Sequence, residues 1–169
     1  MRIIGLSAFY HDSAAALVED GTVVAAAQEE RFTRVKHDAR FPGFALDYCL
    51  STGPWSAEDI DAVVFYEDPV LKTDRLFQSF GQFAPHGYGG FQRGFSSWAG
   101  ERVHQSDQIV DELRKRFPDA DWQCKLLCTE HHLSHAASAF YPSPFEDSTI
   151  LTMDGVGEWA TTSLAVGRG

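Results

Sequence analysis

His131 and His135 lie four residues apart in Glu130-His131-His132-Leu133-Ser134-His135. On a helix that spacing stacks the two imidazoles on one face, with Cβ atoms about 6 Å apart. A third group, Asp154, closes the apolar strand-like run Ile150-Leu151-Thr152-Met153 and is followed at once by Gly155. Two imidazoles and a carboxylate suit a divalent transition metal such as iron, manganese or zinc. His132 is not counted with them, because adjacent residues on a helix diverge by about 100°. Gly155 and Gly157 allow backbone N–H groups to come close to a phosphate. The combination predicts a metal where a strand ends, at a place where a nucleotide or phosphate can also sit.

A second set of candidates lies near the N-terminus, in Phe9-Tyr10-His11-Asp12-Ser13. An imidazole such as His11 titrates near neutrality and suits a general base on a hydroxyl or a donor to a carbonyl. Asp12 is placed to orient it, although side chains adjacent along a strand point apart. Taken alone, His11 reads more readily as an exposed hairpin residue. Arg31 to Arg40 holds four Lys or Arg, a local anion site or a solvated loop. Within it, Arg31 or Arg34 is a candidate for meeting a phosphate, and Glu29-Glu30-Arg31 otherwise reads as a solvated strand end with an ion pair.

The elements that must position these groups follow from pattern and turn chemistry. Strands are expected at Ile3–Ala8, Ala14–Glu19 and Thr22–Glu29, the last two joined by the hairpin signal Asp20-Gly21. A helix is expected over Pro42–Leu50, a short turn at Ser56–Asp59 and a strand at Ala62–Tyr66. Val70–Phe80 reads as a helix, Phe83–Phe95 as a long aromatic and Gly-rich loop, and Ser97–Phe117 as a helix. That loop is read as a lid over an acceptor or as cover for a core edge. Gln123–Cys128 reads as a strand, which would hold Cys124 and Cys128 too far apart to share a metal. His131–Phe140 is a helix that Pro142 and Pro144 stop, and Ser148–Met153 and Thr161–Val166 are strands joined through Gly155-Val156-Gly157. The order predicts an α/β fold with a mixed β-sheet and helices on both faces.

Composition narrows the class. At 169 residues the chain can bury a proper core. A net charge of −10 makes it a poor nucleic-acid binder, because phosphate neutralisation needs clustered cations. No apolar run approaches the roughly 20 residues that span a bilayer, and the N-terminus lacks a signal-peptide pattern. The 3 cysteines, an odd number, argue against a disulfide framework. A cytoplasmic location is expected. The chain reads as the first lobe of something larger, and an exposed edge would lead an isolated lobe to dimerise or to bind a partner.

Four separated motifs carry a family likeness. They are Gly5 to Ala16, Ala27-Gln28-Glu29-Glu30-Arg31-Phe32-Thr33-Arg34, the His131/His135 pair, and Thr152-Met153-Asp154-Gly155-Val156-Gly157-Glu158. In that order they resemble the N-terminal part of the carbamoyltransferases, which include nodulation-factor and antibiotic O-carbamoyltransferases. The resemblance implies the first lobe of an actin-like, sugar-kinase-like (RNase H-like) ATPase fold, related to the tRNA threonylcarbamoyl-transfer enzymes. It implies carbamoyl transfer from a carbamoyl-adenylate to a small-molecule hydroxyl acceptor. His131, His135 and Asp154 would ligate an iron-type metal, and His11 would lie near the reacting carbamoyl group. It further implies a C-terminal half with another metal-ligand Asp, and a separate domain that makes the adenylate from carbamoyl phosphate and ATP. Two other readings remain open: an actin-like ATPase or phosphotransferase using Asp154 with magnesium, and a non-catalytic metal- or nucleotide-binding lobe completed by a partner.

Overall fold

The computed structural model describes residues 1–101, 104–155 and 157–169, with backbone alone over 96–101. The chain divides into two compact units: Met1–Tyr66 with His104–Cys128, and Glu67–Val103 with Thr129–Gly169.

The first unit is a mixed five-stranded sheet flanked by helices, as the sequence predicts. Its strands are β1 (Arg2–Ser7), β2 (Ala14–Glu19), β3 (Thr22–Gln28), β4 (Ala62–Phe65) and β5 (Leu126–Cys128), in the order β3-β2-β1-β4-β5. β1, β2 and β3 pair antiparallel, whereas β4 and β5 run parallel to β1. The register aligns Leu17, Ile4 and Val63 in one row and Ala15, Leu6 and Phe65 in the next, all buried. Because side chains alternate along a strand, these rows share one face and form the core. Asp20 and Gly21 both adopt left-handed φ, 48° and 85°, as a two-residue hairpin of primed type requires.

Helices α1 (Glu30–Thr33), α2 (Gly43–Ser51), α5 (Gln105–Arg116) and α6 (Trp122–Lys125) complete this unit, with a 3-10 turn at Ala57–Asp59. Leu46 and Cys49 of α2 and Ile109, Val110 and Leu113 of α5 join the core. Glu29, expected at a solvated strand end, is instead buried. Its carboxylate accepts the backbone N–H groups of Phe44 at 3.1 Å and Ala45 at 2.9 Å, capping the N-terminus of α2. A carboxylate there meets both the unpaired donors and the positive end of the helix. Glu29→Ala should lower the unfolding free energy by about 1–3 kcal/mol, the cost of leaving buried donors unmet. A urea-denaturation midpoint equal to that of the parent would contradict this role.

The second unit holds α3 (Pro69–Phe83), α4 (Tyr88–Glu101), α7 (His131–Phe140), β6 (Asp147–Met153) and β7 (Thr162–Arg168). β6 and β7 pair antiparallel with Met153 opposite Thr162. In α3, Asp68 caps the helix through the Val70 N–H at 2.8 Å, and Pro69 begins it.

Three expectations are corrected. The Phe83–Phe95 loop is largely helix, α4. Its aromatics recur at helical spacing and pack on those of α3, with Phe80 and Phe91 stacked at centroids 4.2 Å apart and Phe77 and Phe95 edge to face at 5.7 Å. That pairing offsets the cost of Gly89, Gly90 and Gly94 within a helix. The single helix expected over Ser97–Phe117 is instead α4, ending at Glu101, and α5, starting at Gln105. Arg102 and Val103 of that span lie outside the described residues, as does Val156 of the glycine turn. Finally, Trp122–Lys125 is a helical turn rather than strand, because Trp122 buries its ring there and donates from Nε1 to the Phe117 carbonyl at 2.9 Å. Cys124 therefore sits on a helix, and both it and Cys128 are exposed thiols.

Candidate metal centre

α7 brings His131 and His135 together as the spacing predicts, with ring centroids 4.7 Å apart. Two contacts fix the helix against the β6–β7 hairpin. Phe140 lies over Gly167, where an added Cβ would meet the ring at 2.4 Å. His132 turns away from the other two and bonds through Nδ1 to the hydroxyls of Ser163 and Thr152, the latter at 3.3 Å.

Asp154 is delivered by the hairpin. Its N–H bonds the Thr161 carbonyl at 2.8 Å, extending the β6–β7 ladder by one step. Its Oδ2 lies 2.8 Å from His131 Nε2, and His131 Nε2 lies 3.0 Å from His135 Nε2. Among the described residues, His131, His135 and Asp154 form the one trio of candidate ligands, their atoms all within 4.8 Å of one another. These separations fit a metal. Ligand atoms about 2.1 Å from an ion and at right angles to each other lie about 3.0 Å apart. The set of two imidazoles and one carboxylate would leave other coordination positions open. Burial pushes the Asp154 carboxyl up, but the Gly155 N–H at 2.6 Å and the two histidines outweigh it, leaving the group below its ordinary value. The carboxylate form is the one that ligates.

The surrounding shell contains residues to which the sequence reading gave no role. Glu67, 1% exposed, pairs with Lys72 and faces His131 Nδ1 at 3.8 Å. A carboxylate placed behind the far nitrogen of an imidazole favours one orientation of the ring. Glu158, also buried, accepts the His131 N–H at 3.1 Å and the Asp68 N–H, so one carboxylate joins the N-termini of α7 and α3. Arg75 donates to the Gly157 carbonyl at 3.0 Å and holds the loop after Asp154. Glu158 stood within the motif that ends at this residue. Glu67 had only its place directly after an apolar strand in sequence as a signal.

The two glycines differ. A Cβ at Gly157 would lie 2.7 Å from His131 Cδ2, whereas one at Gly155 meets nothing within 4 Å. Gly157 thus makes room for a ligand ring, a reason distinct from the approach to phosphate that the sequence suggested. Arg31, the other residue considered for an anion, is exposed and lies 3.5 Å from Glu30. In the first unit, His11 and Asp12 do meet: they lie in a loop rather than a strand, and His11 Nδ1 is 2.8 Å from Asp12 Oδ2.

Residues 2–169 match the family described as Carbamoyltransferase N-terminus, and the chain belongs to that family. It is 36% identical to the nodulation protein NolNO of Sinorhizobium fredii over 95% of this chain and 22% of that protein. It is 50% identical to an uncharacterised protein of Synechocystis sp. over 99% of this chain and 28% of the relative. A protein of Methanocaldococcus jannaschii is 26% identical over 88% of this chain and 21% of its own length. The chain thus spans about a quarter of the length of these relatives. Among the described residues no helix is long and apolar enough to cross a membrane.

Proposed function

We propose that this chain supplies one lobe of a metal-assisted carbamoyltransferase that moves a carbamoyl group from a carbamoyl-adenylate to a hydroxyl of a small molecule. The observation that carries the reading is the convergence of His131 Nε2, His135 Nε2 and Asp154 in a chain of this family. Those three residues would hold the ion, with iron the family expectation and manganese or zinc equally suited to the donors. A bound divalent ion would supply Lewis-acid stabilisation of the charge that develops on the carbonyl oxygen during transfer.

The chain's own residues prepare that centre. Glu67 backs His131, Glu158 fixes the start of α7, and Arg75 steadies the loop that carries Asp154 and Gly157. Glycine at 155 and 157 with Arg31 are the proposed contacts to the nucleotide. His11, oriented by Asp12, is the proposed group at the reacting carbamoyl. The actin-like assignment, the C-terminal half and the adenylate-forming domain using ATP and carbamoyl phosphate belong to the same reading. Cysteines with no disulfide among the described residues, and substrates of that kind, fit a cytoplasmic setting.

Magnesium prefers oxygen ligands, so an ATPase using Asp154 alone would leave the two converging imidazoles without a purpose. The readings separate in the full-length protein supplied with ATP, labelled carbamoyl phosphate and a hydroxyl acceptor. His131→Ala with His135→Ala should reduce labelled product by about 100-fold or more, since outer-shell losses alone cost 10–100-fold. Undiminished ATP hydrolysis with no carbamoylated product in either protein would favour the ATPase.

A further inference from the structure

Asp12 serves two imidazoles, not one. Its Oδ2 is 2.8 Å from His11 Nδ1, and its Oδ1 is 2.8 Å from His37 Nδ1. A carboxylate only accepts, so each Nδ1 must carry the proton, and each neutral ring then presents an unprotonated Nε2. Both histidine side chains are 60% exposed. The two histidines, His37 first, hold the Asp12 carboxyl below its ordinary value, which keeps it an acceptor.

The fold expends strain to build this arrangement. Of the five non-glycine residues with left-handed φ among the described residues, four lie in these two loops: Phe9 at 67°, Asp12 at 52°, Arg34 at 59° and His37 at 55°. A bulky residue such as phenylalanine rarely adopts that region, and clusters of such residues mark functional sites. The loops are laced together by Phe9 N–H to the Ala39 carbonyl and Ser13 N–H to the Asp38 carbonyl, each 2.8 Å. Asp38 is itself buried and gripped by Arg40 and Thr33, with Arg40 the main cause that holds its carboxyl well below the usual range. The Glu30 carboxylate accepts the His37 N–H at 3.1 Å and sets the last strained residue.

We propose that Asp12 is a positioning residue for two imidazoles at once, and that His37 stands with His11 as a second Nε2 base of the transfer site, facing a hydroxyl-bearing acceptor. The role rests on the function proposed above; the positioning does not. In the step, the acceptor O–H gives its proton to an Nε2, and its oxygen bonds to the carbamoyl carbon. The bond from that carbon to the adenylate phosphate oxygen breaks, and its electron pair leaves with AMP. The imidazolium so formed is balanced by the Asp12 carboxylate through the same Nδ1–H, as in other histidine–carboxylate pairs.

Two measurements decide it. The chain has 7 histidines, few enough to resolve in 15N-histidine spectra. In the parent, both His11 and His37 are expected as the Nδ1–H tautomer. Asp12→Asn keeps a residue that tolerates left-handed φ but offers a single carbonyl oxygen. One of the two rings should therefore switch to Nε2–H. An Nε2–H ring in the parent, or two unchanged rings in Asp12→Asn, would overturn the positioning. In the full-length enzyme, His37→Asn should lower kcat for transfer by about 100-fold with KM for the carbamoyl donor little changed. A kcat within about twofold of the parent would overturn the base role. If the parent transfers no carbamoyl group, the proposed function fails and the base role with it, whereas the spectra still decide the positioning.

Discussion

Asp154→Ala is expected to lower affinity for Fe(II), Mn(II) or Zn(II) by about 100-fold or more, with little loss of fold. The magnitude follows because removing an outer-shell partner already costs 10–100-fold, and Asp154 is a direct ligand in this account. The fold should survive because the hairpin that carries Asp154 is held by the β6–β7 ladder and by the Asp154 N–H, none of which needs its side chain. Isothermal titration of parent and variant, with thermal unfolding as the control, checks both halves. Equal affinities would remove Asp154 from the site.

Gly157→Ala should also weaken the metal centre although it removes no ligand. Its new methyl would fall 2.7 Å from His131 Cδ2 and 3.1 Å from Cγ. The methyl and the ring cannot both stay, and His131 faces Glu67 across 3.8 Å and is held at its backbone by Glu158. Overpacking of this kind costs about 1–3 kcal/mol, which appears as lost stability, as a displaced ring with metal affinity down about 10-fold or more, or as both. Gly155→Ala is the internal control, since its Cβ meets nothing. If the two alanine variants titrate and unfold alike, the steric argument for Gly157 is wrong.

Much of this was legible in the sequence where the signal is local. The i, i+4 histidines define one helix face and Asp154 marks a strand end, while joining the three as one ligand set drew also on the family resemblance. The Asp20-Gly21 hairpin and the β1–β3 alternation are equally local. What escaped depends on long-range partners. Glu29 reads as surface until Phe44 and Ala45 are known to point their N–H groups at it. Glu67 and Glu158 gain their roles only from the approach of α7. His37 lies 25 residues from the Asp12 it shares with His11. The α4 helix was hidden by its glycines, because propensity argues against it and only the packing of Phe91 against Phe77 and Phe80 explains it. Trp122 likewise fixes a helical turn through a bond to Phe117 that no pattern reveals.

The most direct test of the central claim is the metal content of the full-length protein and its titration with Fe(II), Mn(II) and Zn(II), beside a His131→Ala, His135→Ala variant. The account predicts a transition-metal ion bound by the parent with affinity that the double substitution lowers by at least about 100-fold. Binding that ignores the two substitutions, or no binding by the parent, would contradict it.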